Sequence, residues 1–151
     1  MNFFIPFYCN ARSTTEFDIP NFVMDVRNAR IESFMQRVSS LLADSPYEIE
    51  HDLEVHFQNF FYLLFKLMGY YVRVEYHTNV GRIDLVIETD KYIFIIEFKL
   101  GRSAKLALNQ IKKNGCVNPF MSDSRKKFLV GANFGVKLRG MGKYIVEEVD
   151  S

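Results

Sequence analysis

The 151-residue sequence is poor in cysteine, with only Cys9 and Cys116. These two lie far apart, and the chain has no CxxC pair and no Cys/His cluster, which argues against a disulfide framework and a structural zinc site. Long apolar runs are also lacking. The longest, residues 57–68, is interrupted by polar residues such as Lys66 and is too short to span a bilayer. We therefore expect a cytoplasmic protein without a membrane partner.

An excess of charge of one sign is missing too, since 19 Lys and Arg almost balance 18 Asp and Glu, for a formal net charge of +1. Taken as an average, this value argues against a strongly basic nucleic-acid binder. Hydrophobic residues make up 48% and charged residues 25% of the chain, which is typical of a globular domain and excludes disorder and collagen-like repeats. The length suits one domain with its own core.

The residue pattern changes from helical to strand-like near residue 70. Apolar residues recur at helical spacing in two segments, and Val, Ile, Tyr and Phe dominate five later ones. The predicted elements are helices 31–43 and 50–68, strands 70–78, 82–89 and 92–100, a helix 103–114, and strands 126–132 and 143–149. This order, ααβββαββ, predicts a single α/β or α+β domain over residues 31–151. Residues 1–30 are predicted to form an N-terminal arm or linker with room for one short helix.

The most informative stretch is a predicted hairpin, GRIDLVIETDKYIFIIEFKL. If Asp90 and Lys91 form a two-residue loop, the commonest hairpin connection, counting outward from the loop places Asp84 directly opposite Glu97. Directly opposed residues share a face of the sheet, with Cβ atoms about 4.5–5.5 Å apart. Lys99, two residues beyond Glu97, points to that same face. A loop of odd length would instead place the two carboxylates on opposite faces.

Two facing carboxylates in an apolar sheet need a partner, because like charges repel and buried charges must be compensated. Lys99 would neutralise one of them, whereas a divalent cation would satisfy both. Mg²⁺, or Mn²⁺, suits one or two carboxylates together with water and phosphate oxygens. Two carboxylates, a metal and a lysine suit phosphodiester hydrolysis. The competing interpretation is an amphipathic hairpin with an ordinary polar face.

Asp84 followed by the tripeptide EFK, which ends at Lys99, resembles the core motif of the PD-(D/E)XK nucleases. Ile83 stands where the motif has proline, which many members of the superfamily lack. The wider match includes SAKLALNQIKK after the hairpin and LFKLMGY and FDIPN before it, and it covers roughly residues 17–149. These strings resemble the C-terminal nuclease domain of a group of bacterial AAA-ATPase-like proteins. The resemblance implies a restriction-endonuclease-like α/β fold, with a central mixed sheet flanked by helices.

The resemblance also implies residue roles. Asp84 and Glu97 would bind the metal, and Lys99 would be the catalytic lysine. Glu54 matches a further acidic residue that many members place before the first strand, as a third metal ligand, and Gln110 matches a motif glutamine that lines the site. Without the family, both would be taken as ordinary solvated helix residues. Members carry an N-terminal ATPase-like domain, for which this chain has no room and no GxxxxGK loop, so we expect an isolated domain or part of a longer protein.

Charge is unevenly distributed along the chain. Residues 1–70 have a net charge of −4 and residues 71–151 of +5, and residues 99–143 hold 11 basic residues against Asp123 alone, for +10. A run of charge is usually a solvated face, but this one begins at Lys99, where a phosphate backbone would need neutralising. The candidate nucleic-acid contacts are Arg82, Arg102, Lys105, Lys112 and Lys113. No zinc finger or recognition helix is visible, so binding should be salt-sensitive and largely independent of sequence.

These features favour a metal-dependent nuclease domain that acts on nucleic acid, with DNA preferred to RNA. A second interpretation is a non-catalytic nucleic-acid or protein interaction module that retains the nuclease fold. A third is self-association, in which the apolar arm of residues 1–22 joins two copies as a homodimer. His51, His56 and His77 have no metal-ligand spacing and are interpreted as structural or surface residues.

Overall fold

The computed structural model describes residues 18–44, 53–79, 81–135 and 140–149. Within these ranges, three helices precede a five-stranded sheet, and a fourth helix connects the third and fourth strands. The elements are α1 Ile19–Arg27, α2 Ile31–Asp44, α3 Leu53–Met68, β1 Arg73–Asn79, β2 Arg82–Glu88, β3 Tyr92–Leu100, α4 Ala104–Lys113, β4 Lys126–Gly135 and β5 Gly140–Val149. The predicted α/β fold, with a central mixed sheet flanked by helices, is confirmed and is consistent with a restriction-endonuclease-like architecture.

The strands of the sheet lie side by side in chain order, β1 to β5. β3 and β4 are parallel, and the other neighbouring pairs are antiparallel. A parallel pair needs a crossover connection, which α4 provides. Because β3 has neighbours on both edges and helices over both faces, its apolar residues are buried on both sides.

Two apolar cores lie on opposite faces of the sheet. The larger joins α1, α2 and α3 to one face, where Phe61 stacks on Phe98 with ring centroids 4.6 Å apart. The smaller lies under α4 and comprises Ile93, Ile95, Leu108, Ile111 and Leu129. α4 can approach β4 this closely because residue 131 is glycine. A Cβ there would overlap the backbone of α4 and lie 2.9 Å from the Cα of Leu108.

Part of the predicted N-terminal arm belongs to the core. Residues 19–27 form α1, whose buried apolar residues are Ile19, Phe22, Val23 and Val26. The carboxylate of Asp25 is only 1% exposed and accepts a hydrogen bond of 2.7 Å from Nε of Arg37 on α2. The expected boundary at residue 31 therefore falls inside the packed unit, because α1 and α2 share one core. Residues 1–17 lie outside the described ranges, so a dimer contact through them remains a prediction.

Local signals placed the ends of α4 correctly. The hydroxyl of Ser103 accepts a hydrogen bond of 3.1 Å from the backbone N–H of Leu106, which is an N-cap. Gly115 follows the helix with φ of +66°, a conformation that favours glycine. β1 begins three residues later than expected, since the backbone N–H groups of Tyr71 and Val72 bond to the carbonyl of Met68 and continue the turn.

No helix in the described ranges is long and apolar enough to cross a membrane.

Candidate active site

The β2–β3 hairpin has the register that a two-residue turn requires. Asp84 lies directly opposite Glu97, and Arg82 lies opposite Lys99. At the turn, the backbone N–H of Thr89 donates to the carbonyl of Tyr92 at 2.9 Å. The facing of the two carboxylates, predicted from loop length alone, is therefore confirmed. Alternation along the strands puts all four charged side chains on the α4 face of the sheet.

Neighbouring strands extend this arrangement to both sides. His77 of β1 lies opposite Asp84, and Gly131 of β4 lies beside Glu97. Sequence reasoning left His77 as a structural or surface residue and missed its place next to the carboxylates. The strands predicted over 70–78 and 82–89 leave three residues between them, whose parity would place His77 on the opposite face from Asp84. Only the structure shows that β1 continues to Asn79, which leaves two residues before Arg82 and brings His77 opposite Asp84.

The two carboxylates are held close together without enough hydrogen bonds. Oδ1 of Asp84 and Oε2 of Glu97 are buried and have no hydrogen-bond partner among the described residues. Nε of Arg82 lies 3.3 Å from Oδ1 of Asp84, and Nζ of Lys99 lies 3.7 Å from Oε2 of Glu97. These contacts supply charge attraction but not hydrogen bonds. Only 3% of the Glu97 side chain is exposed, against 37% for Asp84.

This environment favours a proton, or another cation, between the carboxylates. The pKa of Glu97 is raised to about 7, first by burial, then by the charge of Asp84, and then by the hydrogen bond that a protonated Glu97 donates to Asp84. Lys99 and Arg82 act in the opposite direction. The pKa of the Cys116 thiol is raised as well, first by burial and then by the charges of Asp84 and Glu97.

The donor set fits a hard divalent cation. Two buried carboxylate oxygens that lack hydrogen bonds are ligands that Mg²⁺ or Mn²⁺ accepts, together with water and phosphate oxygens. Across the described part of the chain, no three His, Cys, Asp or Glu side chains are placed to hold a metal. Asp84 and Glu97 would therefore supply two ligands, with the remaining positions left for water and substrate.

The two supporting residues implied by the family resemblance are placed differently. Glu54 lies on α3, but its side chain is outside the described part of the structure. Gln110 lies on α4, and its Nε2 donates a hydrogen bond of 2.9 Å to Oδ1 of Asn114 on the same helix. Their roles in the site remain predictions.

The candidate nucleic-acid contacts are placed in three different ways. Arg82 lies in the site, and Arg102, Lys105 and Lys113 are exposed on or just before α4. Lys112 instead forms an ion pair, with its Nζ 2.6 Å from Oε2 of Glu147 on β5. Part of its charge is therefore used within the protein.

Fewer basic residues after Lys99 are available to bind phosphate than their number in the sequence suggests. Lys127 is fully buried, and its Nζ donates to the backbone carbonyls of Asp123 and Arg125 at 2.5 and 2.8 Å. Arg125 in turn binds the carboxylates of Asp123 and Glu88 at 2.7 and 2.8 Å. The interpretation of the whole +10 segment as a phosphate-binding face is wrong in this part. These residues join the start of β4 to the hairpin.

The family model of the PD-(D/E)XK nuclease superfamily matches residues 52–143, which is more than half of the chain. The chain therefore belongs to the PD-(D/E)XK nuclease superfamily, which confirms the resemblance of its motif to these nucleases. The resemblance to the AAA-ATPase-like proteins stays a prediction. It is also similar to an uncharacterized protein in the vnfD 5′ region of Azotobacter chroococcum mcd 1, with 29% identity over 98 residues. That match covers 64% of this chain but 19% of the relative, so the chain spans about a fifth of its relative's length. No solved structure matches the chain.

Proposed function

We propose that this protein is a metal-dependent nuclease that hydrolyses phosphodiester bonds in nucleic acid, with DNA as the preferred substrate. The observation that carries the proposal is the facing pair of Asp84 and Glu97, which have buried oxygens without hydrogen bonds and Lys99 beside them. A purely structural hairpin would gain nothing from this pair, because two facing carboxylates destabilise a sheet. Membership of the nuclease superfamily supports the same conclusion.

Asp84 and Glu97 would hold Mg²⁺ or Mn²⁺ through the oxygens that lack hydrogen bonds. A bound ion would supply positive charge to the phosphate and lower the pKa of a nearby water. Glu97 must lose its proton to act as a ligand, and Lys99 favours that loss. The Lys99 ammonium also stabilises charge that develops on the phosphate. Glu54 as a third ligand and Gln110 as a lining residue are part of the proposal, and Gln110 would then exchange its bond to Asn114 for one to the substrate.

The proposal also covers the cellular location and the partners of the protein. We place the domain in the bacterial cytoplasm, and we retain an ATPase-like domain and a homodimer through the arm as predictions about partners. Size-exclusion chromatography with light scattering of the full chain tests the dimer. A monomer at micromolar concentration would remove that part of the proposal without affecting the site.

The activity is tested with the full chain on labelled single-stranded DNA, duplex DNA and RNA, in Mg²⁺, in Mn²⁺ and in EDTA. Asp84→Ala and Lys99→Ala should each lower the cleavage rate at least about 100-fold, the usual loss when an electrostatic group of an active site is removed. Lys91→Ala is the matched control, because Lys91 is exposed at the far end of the hairpin. Circular dichroism checks that the variants fold.

Equal cleavage by the wild type and both variants would refute the mechanism. A melting temperature that rises with Mg²⁺ or Mn²⁺ in the wild type, but not in Asp84→Ala, supports the metal ligands. Absence of both cleavage and a metal-dependent shift would favour the non-catalytic binding module instead. Faster cleavage of RNA than of DNA would overturn the substrate preference.

A further inference from the structure

A second polar row crosses the sheet next to the carboxylate pair. In register, Asn79 faces Arg82, Arg82 faces Lys99, and Lys99 lies beside Asn133. The backbone N–H of Lys143 on β5 then donates a hydrogen bond of 2.8 Å to Oδ1 of Asn133. Each of the five strands thus contributes one polar residue, and three of the five are cationic. With about 4.8 Å between neighbouring strands, Lys143 lies about 10 Å from Lys99 along this row.

The Lys143 end of the row opens into a groove between α4 and β5. The groove has a volume of about 520 Å³, which is within the usual size of a ligand site. Among the described residues that line it, Lys105 and Lys143 are cationic, and Ala104 and Ile145 provide apolar surface. Asn133 lines it as well, so the groove is continuous with the strand position beside Lys99.

The positive charge of this groove is not offset by β5. Alternation places Glu147 on the same face of β5 as Lys143. However, Oε2 of Glu147 is 2.6 Å from Nζ of Lys112, which neutralises it. Glu148 is also paired, with Nζ of Lys126 at 2.8 Å. Lys105 and Lys143 are both exposed and therefore available to an anionic ligand.

We propose that this groove binds the sugar-phosphate backbone of the nucleic acid on one side of the bond to be cut. This inference rests on the proposed function and names Lys143 and Lys105 as phosphate contacts outside the reaction centre. The strand would run across the sheet from Arg82, past Lys99, to Lys143, and the apolar surface would contact sugar carbons.

The test is equilibrium binding of a fluorescein-labelled oligodeoxynucleotide of about 20 nucleotides, which is long enough to contact the site and the groove together. Single-stranded and duplex forms are measured by anisotropy in EDTA, from 0.05 to 0.3 M KCl. The slope of log K against log salt is negative, and the loss of one phosphate contact lowers its magnitude by about 0.7 for single strands and about 0.9 for duplex. Lys105→Ala and Lys143→Ala should each show this change and bind about 5- to 8-fold more weakly at 0.1 M salt. Lys143→Arg should retain the wild-type slope, and Lys91→Ala is the matched control.

Cleavage kinetics provide a second readout. Because Lys143 contacts a phosphate that does not react, Lys143→Ala should raise KM about as much as it weakens binding and leave kcat within about 2-fold of the wild type. A substrate that is too short to reach the groove should be cut equally by both proteins.

The outcomes separate this inference from the proposed function. If the wild type cleaves DNA but both lysine variants bind with the wild-type slope, the groove assignment is wrong and the nuclease proposal stands. If the slopes change as expected but no metal supports cleavage, the groove is supported and the hydrolytic function is refuted. If the wild type binds neither the single-stranded nor the duplex oligonucleotide, the groove assignment is wrong.

Discussion

Replacement of Glu97 by glutamine should make the metal-free protein more stable while it removes the metal site. Glu97 is 3% exposed and faces Asp84 in the sheet. Glutamine has nearly the same shape as a protonated glutamate but cannot ionise. The Glu97→Gln protein therefore resembles the wild type with Glu97 protonated, at every pH.

The magnitude follows from the pKa of Glu97, which burial and Asp84 raise from 4.5 to about 7. A folded-state pKa above the unfolded value means that the native state holds the proton more tightly, so wild-type stability falls as pH rises from about 4.5 to about 7. At about 1.4 kcal/mol for each pKa unit, the full difference is about 3 kcal/mol. Above this range, Glu97→Gln should exceed the wild type by that amount, and below it the two should be equally stable.

Thermal unfolding in EDTA, from pH 4.5 to pH 8, measures this difference. A chain of this length shifts its melting temperature by about 2–4 °C per kcal/mol, so the variant should melt about 6–12 °C higher at pH 8. Added Mg²⁺ or Mn²⁺ should then raise the melting temperature of the wild type only. Glu88→Gln is a useful control, because that carboxylate is bound to Arg125 instead of facing another carboxylate.

A variant no more stable than the wild type at pH 8 would refute the conclusion that the facing carboxylates repel each other. An increase that is independent of pH would mean that glutamine stabilises the fold for a reason other than charge. Equal metal-dependent stabilisation of both proteins would show that Glu97 is not a ligand.

Two further predictions concern the packing around the site. Gly131→Ala should cost about 1–3 kcal/mol in urea unfolding, because the new Cβ would overlap the backbone of α4 near Leu108; wild-type stability would contradict the close approach. In a Cys9→Ser background, Cys116 should react with iodoacetamide at pH 8 more slowly than free cysteine, since burial and the carboxylates raise its pKa. Adding Glu97→Gln should speed this reaction, and an unchanged rate would show that the charge of Glu97 does not reach the thiol.

The facing of Asp84 and Glu97 was predictable because it depends on local rules. Side chains alternate along a strand, and a two-residue turn sets the register of a hairpin. The ends of α4 were predictable for the same reason, since Ser103 and Gly115 act on adjacent backbone groups. In contrast, the residues of α1 were assigned to an arm. A segment of nine residues contains no local pattern that predicts its packing against α2.

The count of basic residues shows where sequence reasoning failed. Lys127 and Arg125 look like phosphate contacts in the sequence, but one is fully buried and the other binds Glu88 and Asp123. Glu88 is far from Arg125 along the chain, so no local sequence pattern predicts the ion pair between them. A net charge taken over a segment cannot distinguish cations used in the fold from those left for a ligand.

By itself, the sequence determined the α/β class, the PD-(D/E)XK motif and the opposition of Asp84 to Glu97, because periodicity and turn length act over a few residues. Only the tertiary structure decided what surrounds that pair. The parallel pairing of β3 with β4, through α4, brings Asn133 and then Lys143 into line with Lys99. Those contacts join residues that are far apart in the chain, and they depend on how α4 packs against a glycine in β4.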